Sequence, residues 1–272
     1  MDNDAVLALF DAQLRRLDGE QVGPVVRNAG PAGNWIVHSA LTTENADEAI
    51  AEQQAYFARI GGELEWKYYA YDEPQDLPER LIAAGFVAEP TEALLVADVA
   101  ELLAGPLADA SLPAGVELRE VADAAGFEAI VGLGVAVWGA ERRGLGRGLA
   151  AEYAADPALI SIFRVVAPAG PDAVPPGGEG GAGEETVCAA WIRFHPGTEF
   201  ASLWGGSTLP QWRRRGIYRA LVAHRARLAA KRGYRYLQVD ASDDSRPILR
   251  ALGFELLTTT TPYVWTPPPL WR

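Results

Sequence analysis

Arg213-Arg214-Arg215-Gly216 stands between two stretches of contrasting period. Ala201–Thr208 reads as a strand that closes on Leu209-Pro210, and beyond Gly216 the apolar residues Leu221, Val222, Leu228 and Ala229 recur at helical spacing. Three adjacent guanidinium groups repel one another unless an anion offsets them. The first N–H groups of a helix have no acceptor within it, and the helix dipole adds about half a positive charge at that end. A glycine there lets backbone approach a phosphate without a Cβ in the way. Strand, Arg-rich turn, Gly and helix start together make an anion site, with arginines able to grip outer phosphate oxygens in bidentate fashion. The charge around it is one-sided. No Asp or Glu occurs between Phe200 and Val239, where nine basic residues do, in a chain of net charge −12. Arg225, Arg227, Lys231, Arg232 and Arg235 could equally form a solvated helix face, whereas the triple Arg asks for a local anionic partner.

Other reactive groups are sparse. Cys188 is the single cysteine, and His38, His195 and His224 are scattered without ligand spacing, so neither a disulfide framework nor a metal centre is expected. The acidic balance argues against nucleic acid as a partner. No apolar run reaches membrane-spanning length, and the acidic start Met1-Asp2-Asn3-Asp4 lacks the pattern of a secretory leader. The expected address is the cytoplasm.

The elements that must position the loop occur twice. Tyr68–Asp72 and Tyr236–Asp240 lie 168 residues apart, as do Ala84-Gly85-Phe86 and Leu252-Gly253-Phe254. The same offset lays Trp35–Leu41 on Leu203–Leu209 and a helix at Glu44–Ile60 on Trp212–Leu228. Two copies of one α/β unit are expected. The first has only a helix, Ala5–Leu17, and a short strand near Val25–Arg27 ahead of its repeat. The second has a fuller lead-in: strand Val116–Glu120, helix Ala122–Trp138, and strands Leu159–Val166 and Val187–His195 around a Gly/Pro-dense, mobile hairpin loop at Ala167–Glu185. The expected division is 1–100, a linker at 101–115 and 116–272. In the first copy the equivalent loop reads Thr42-Thr43-Glu44-Asn45-Ala46-Asp47-Glu48, whose carboxylates suit a helix N-terminus but repel a diphosphate.

From Val116 to about Trp265 the chain resembles the GNAT superfamily of N-acetyltransferases. That family's coenzyme A loop follows an Arg/Gln-x-x-Gly-x-Gly/Ala pattern, matched here by Arg213-x-x-Gly216-x-Tyr218, with Tyr218 departing at the last position. The order helix, strand, short helix and Leu-Gly-Phe continues the match. The resemblance implies an α/β (α+β) fold, a mixed central sheet flanked by helices, preceded by a partial GNAT-like copy that has lost its site. It implies acetyl-CoA as co-substrate, held by Thr208, Leu209, Arg213, Arg214, Arg215, Gly216, Ile217, Tyr218 and Arg219, with Thr208 and Leu209 along the pantetheine arm. The implied reaction moves an acetyl group to an amine of a small molecule or peptide, with a homodimer allowed for. Glu199 falls where some members place a base, with an exposed strand-edge carboxylate as the other reading. Ser245 could reach the thiol, or simply cap a short helix. The family's usual acid, a Tyr, and a frequent Asn fall on Leu249 and Ser242. Arg143–Gly148 fits the loop pattern literally but follows a helix and not a strand, and is read as a surface or substrate-side loop. A non-catalytic acyl-CoA sensor is the rival reading.

Overall fold

The computed structural model describes residues 1–17, 19–30, 33–139, 144–168 and 183–268. In chain order the elements are α1 (Asn3–Gln13), β1 (Glu20–Val22), β2 (Val25–Gly30), β3 (Gly33–Ser39), α2 (Ala46–Ile60), β4 (Leu64–Tyr69), α3 (Leu77–Ala83), β5 (Val87–Ala88) and β6 (Glu92–Asp98). There follow α4 (Val99–Ala104), β7 (Glu117–Glu120), α5 (Ala124–Trp138), α6 (Leu145–Ala155), β8 (Ile160–Pro168), β9 (Glu184–Phe194) and β10 (Phe200–Thr208). The chain closes with α7 (Ile217–Lys231), β11 (Tyr236–Ala241), α8 (Arg246–Ala251) and β12 (Glu255–Trp265). The hairpin loop read at Ala167–Glu185 and the start of the Arg143–Gly148 stretch lie outside the described residues for the most part. Its latter portion, Leu145–Gly148, opens α6.

Packing divides the chain into two compact units, Met1–Val96 with Val239–Arg272, and Ala97–Gln238. The first unit carries strands in the order β1-β2-β3-β4-β12-β6. Only β3 and β4 run parallel there, and β12 lies antiparallel to both of its neighbours. Its core buries Ile36, Ile50, Phe57, Leu64, Trp66 and Leu81 under α2 and α3. Two of this unit's ion pairs are largely buried. Arg15 grips Asp72 through both carboxylate oxygens at 2.7 and 2.9 Å, and Lys67 meets Asp240 at 2.7 Å. The second unit orders its strands β11-β10-β9-β8-β7, antiparallel except for the β10–β11 pair. Helix α7 covers it with Ile217, Leu221, Val222 and four alanines, all buried.

The sequence copies and the packed units are therefore different partitions of the chain. The last strand, β12, pairs from Glu255 to Trp265 within the first unit, which groups 239–272 with that unit. The 101–115 stretch is not a free connector either. It begins inside α4, Leu107 is fully buried, and Arg227 donates to the carbonyls of Leu107, Ala108 and Ala110.

The repeat is real but not gap-free. At its helix–Gly-Phe element the backbone bonds coincide at the 168-residue offset: Phe86 N–H to Leu81 O at 3.0 Å, and Phe254 N–H to Leu249 O at 3.1 Å. Gly85 and Gly253 both take left-handed φ, 88° and 97°. Upstream the register slips. Tyr68 and Tyr69 end β4, while Tyr236 opens β11. Trp35 pairs with Glu65, whereas Phe200 pairs with Tyr236, so the second copy holds six more residues between partners. Two of these lie in the strand–helix connection, which spans 40–45 in the first copy and 209–216 in the second.

Candidate active site

Strand β10 is irregular in the one place where irregularity exposes backbone. Its ladder with β9 runs from Ala201↔Phe194 to Trp204↔Trp191 and resumes at Ser207↔Ala189 and Thr208↔Cys188. Gly205 and Gly206 thus face a single residue of β9, which is a β-bulge. The two glycines are demanded by contact as well as by conformation. Gly205 has φ 71°, and a Cβ there would lie 1.9 Å from the Trp191 ring; one at Gly206 would lie 2.5 Å from the Tyr218 ring. On its other side the described pairing of β10 with β11 runs from Phe200↔Tyr236 to Ser202↔Gln238, while β10 itself continues to Thr208. A strand that leaves its neighbour and bulges turns main-chain N–H and C=O groups toward whatever lies beside it.

The loop that follows is organised by backbone. Leu209 is buried and donates its N–H to Val187 O at 3.0 Å. Pro210–Trp212 make a 3-10 turn, and Arg213 is extended (φ −65°, ψ 158°). Arg214 then takes φ 61°, the left-handed region that costs a non-glycine residue about 1 kcal/mol or more. Gly216 is left-handed too (φ 83°, ψ −4°) and is the N-cap of α7, with no side chain capping the helix and no acid in its first turn. Alternation into left-handed residues gathers successive N–H groups into a concavity suited to an anion, here continuous with the positive end of a 15-residue helix. Buried Ile217 anchors the concavity to the core, and Arg213, Arg214 and Arg215 are exposed around it. Arg213 Nε donates to Thr208 O at 3.2 Å, and the Arg215 guanidinium lies 4.7 Å from the Trp212 ring centroid. The Thr208 hydroxyl pairs with the Cys188 thiol at 3.1 Å, and burial pushes that thiol up to about 11, so it stays protonated and unreactive near neutral pH.

Beyond the loop the expected site residues separate. Tyr218 turns out of the loop, its ring on Gly206, and burial raises its phenol above the usual tyrosine range. Arg219 donates Nε and Nη2 to Pro106 O, so its guanidinium ties α7 to the chain behind it and not to the loop. Glu199 pairs with Arg235 at 3.5 Å, at the opposite end of β10 from Thr208, about 30 Å away along an extended strand. Ser245 bonds back to Ser242 O at 3.3 Å. Leu249 is fully buried and offers no hydroxyl. His195 Nε2 meets the Ser202 hydroxyl, which also accepts from Trp204 Nε1 at 2.7 Å. His224 packs edge-on against Phe163, and burial lowers its pKa. Among the described residues no cluster could hold a metal ion. The basic island is thereby sorted: Arg219, Arg225, Arg227 and Arg232 spend their donors on carbonyls, and Arg235 on carboxylates. Arg213–Arg215 surround the concavity. Sequence reasoning missed the bulge, although Gly205-Gly206 within a strand pattern is its signal, and it missed Arg225.

The loop and bulge bring together a backbone cradle, an uncapped helix start and three exposed arginines, a combination suited to an anionic ligand. Residues 170–254 match the family model described as the acetyltransferase (GNAT) family. Among solved structures, a GCN5-related N-acetyltransferase from Kribbella flavida is similar over 98% of this chain and 95% of its own, with 18% identity and a TM-score of 0.62. A functionally unknown conserved protein from Staphylococcus epidermidis is similar over 93% and 96%, with 12% identity and a TM-score of 0.63. A tandem GNAT protein from the clavulanic acid biosynthesis pathway is similar over 92% and 82%, with 14% identity and a TM-score of 0.57. No curated protein matches the chain. Residues 170–254 thus match the acetyltransferase (GNAT) family model, and the mixed α/β fold of the chain is shared over nearly its whole length with these solved structures.

Proposed function

We propose that the protein is an acyltransferase of the cytoplasm that moves an acetyl group from acetyl-CoA to an amine of a small molecule or peptide. The observation that carries this reading is the continuity of bulge, concavity and uncapped helix along one stretch, Gly205 to Ile217. Acetyl-CoA supplies the acyl group as an activated thioester. The N–H groups of Arg214 through Tyr218 and the α7 dipole would hold the pyrophosphate, with Arg213, Arg214 and Arg215 on its outer oxygens. The β10 edge from Leu203 to Thr208 would lie along the pantetheine arm. Because Leu209 N–H is already bonded to Val187 O, polarisation of the thioester carbonyl falls to amides at the bulge.

A second reading, an acyl-CoA-binding sensor without turnover, is favoured by buried Leu249 at the position where the resemblance expects an acidic hydroxyl. One assay separates them. Thiol release from acetyl-CoA is followed with a panel of primary amines. Release that depends on an amine supports the transferase; binding of acetyl-CoA with no amine-dependent release across the panel supports the sensor.

A further inference from the structure

Arg225 is the only charged side chain that α7 buries, at 1% exposure, and no salt bridge to it occurs among the described residues. An isolated buried guanidinium is costly unless its donors are fully engaged. Its donors go to three carbonyls: Nε to Leu221 O at 3.1 Å, and Nη1 to Trp191 O at 3.1 Å and Trp204 O at 3.3 Å. The last two identify its purpose. Trp191 and Trp204 are the final directly opposed pair of the β9–β10 ladder before the bulge. At a bulge the extra residue drops out of the ladder, which leaves neighbouring main-chain groups short of partners. Arg225 supplies, from outside the sheet, donors to the carbonyls on both strands at the break. The surrounding packing is consistent with a point held in place: the Trp191 ring lies against Gly205, and the Tyr218 ring against Gly206.

Resting on the acyl-CoA reading above, we infer that Arg225 is a positioning residue, pinning the Trp191 and Trp204 carbonyls so that the Gly205–Gly206 backbone stays aimed at the thioester carbonyl. Arg225 touches no reacting atom. Its effect is therefore on how strongly the carbonyl is polarised, and the phosphate-binding concavity, formed by other residues, is left alone.

The test uses the full-length protein and acetyl-CoA labelled with carbon-13 at the acetyl carbonyl. Infrared difference spectra read the carbonyl stretch, and calorimetric titration reads CoA affinity. With the native chain the stretch shifts below that of free acetyl-CoA. In Arg225→Gln the shift is lost while CoA affinity stays within about threefold, because the cradle is untouched. Arg225→Lys, which keeps the charge and one reach of donors, restores part of the shift. An unchanged shift in folded Arg225→Gln overturns the inference. So does failure of both variants to fold, since Arg225 would then be a general determinant of the fold. If the native chain does not bind acetyl-CoA at all, it is the acyl-CoA reading that fails, and this inference goes with it.

Discussion

In the first copy the connection from β3 to α2 is closed by its own polar atoms. Thr42 N–H donates to Asn45 Oδ1 at 2.8 Å, Ala46 N–H donates to Thr42 O at 3.1 Å, and Asp47 and Glu48 occupy the first helical turn. Asp47 in turn meets Arg80 at 2.9 Å, and a hydrogen bond to the Thr42 side chain holds the Glu44 carboxyl below its ordinary range. In the second copy the connection from β10 to α7 is two residues longer and does the reverse. Neither helix has a side-chain cap, but this one also has no acid in its first turn, and its connection places a left-handed Arg214 and Gly216 around an open concavity. The same scaffold thus satisfies its helix dipole with carboxylates in one case and leaves it to a ligand in the other. A copy that has filled its own anion site is free to serve as packing, and the first copy's ionisable groups are correspondingly spent on stability.

The comparison can be broken most severely at Asp72. This buried partner of Arg15 lies in the first copy, and Asp72→Ala should cost about 3–5 kcal/mol in denaturant unfolding by leaving a buried guanidinium unpaired, with CoA affinity of the remaining folded protein unchanged. A matching loss of CoA affinity would show that the first copy does more than scaffold. Next comes the bulge. Gly205→Ala must strain a φ of 71° and displace the Trp191 ring, an expected loss of about 2–4 kcal/mol. Gly23→Ala, at φ 56° with nothing within 4 Å of the new Cβ, should lose only about 1 kcal/mol. Equal losses would mean that the Trp191 contact carries no weight.

A smaller effect distinguishes the copies by pH. Burial, followed by the nearby Arg15, lowers the His38 pKa from the ordinary 6.5 to about 4. Between these values the unfolded chain binds a proton that the folded chain refuses, so stability present above pH 6.5 is lost as pH falls toward 4. Unfolding midpoints for the native chain should drop between pH 7 and pH 5, and His38→Gln should flatten that dependence. An identical slope in the variant would assign it to other groups.

Much of this was legible in the sequence because it is local. The strand Ala201–Thr208, the helix behind Gly216 and the Gly-Phe turns follow from period, breakers and caps, and the structure places them within a few residues. The loop's make-up was legible for the same reason, since Arg, Gly and helix start are contiguous. What escaped depends on partners far along the chain. Whether β12 joins β4 and β6 is decided by strand pairing across more than 150 residues of sequence, which no local pattern encodes. The offset that aligned Tyr68 with Tyr236 concealed connections of different length. Arg219 and Arg227 looked like a solvated or anion-seeking face and instead bind the carbonyls of 106–110, a strap whose path over α7 cannot be read from charge. Ser245 and Glu199 were drawn in by position in a pattern, and the contacts they make, with Ser242 and Arg235, are ones no local pattern encodes.

The central claim is that 209–216 binds coenzyme A through its backbone concavity while its counterpart at 40–45 does not. Calorimetric titration of CoA into the native chain and into the double variant Arg214→Ala with Gly216→Asp tests it most directly. The account predicts one binding site in the native chain and at least a roughly 100-fold weaker one in the variant, with an unchanged circular dichroism spectrum. Equal affinity in the two proteins, or two sites in the native chain, would contradict it.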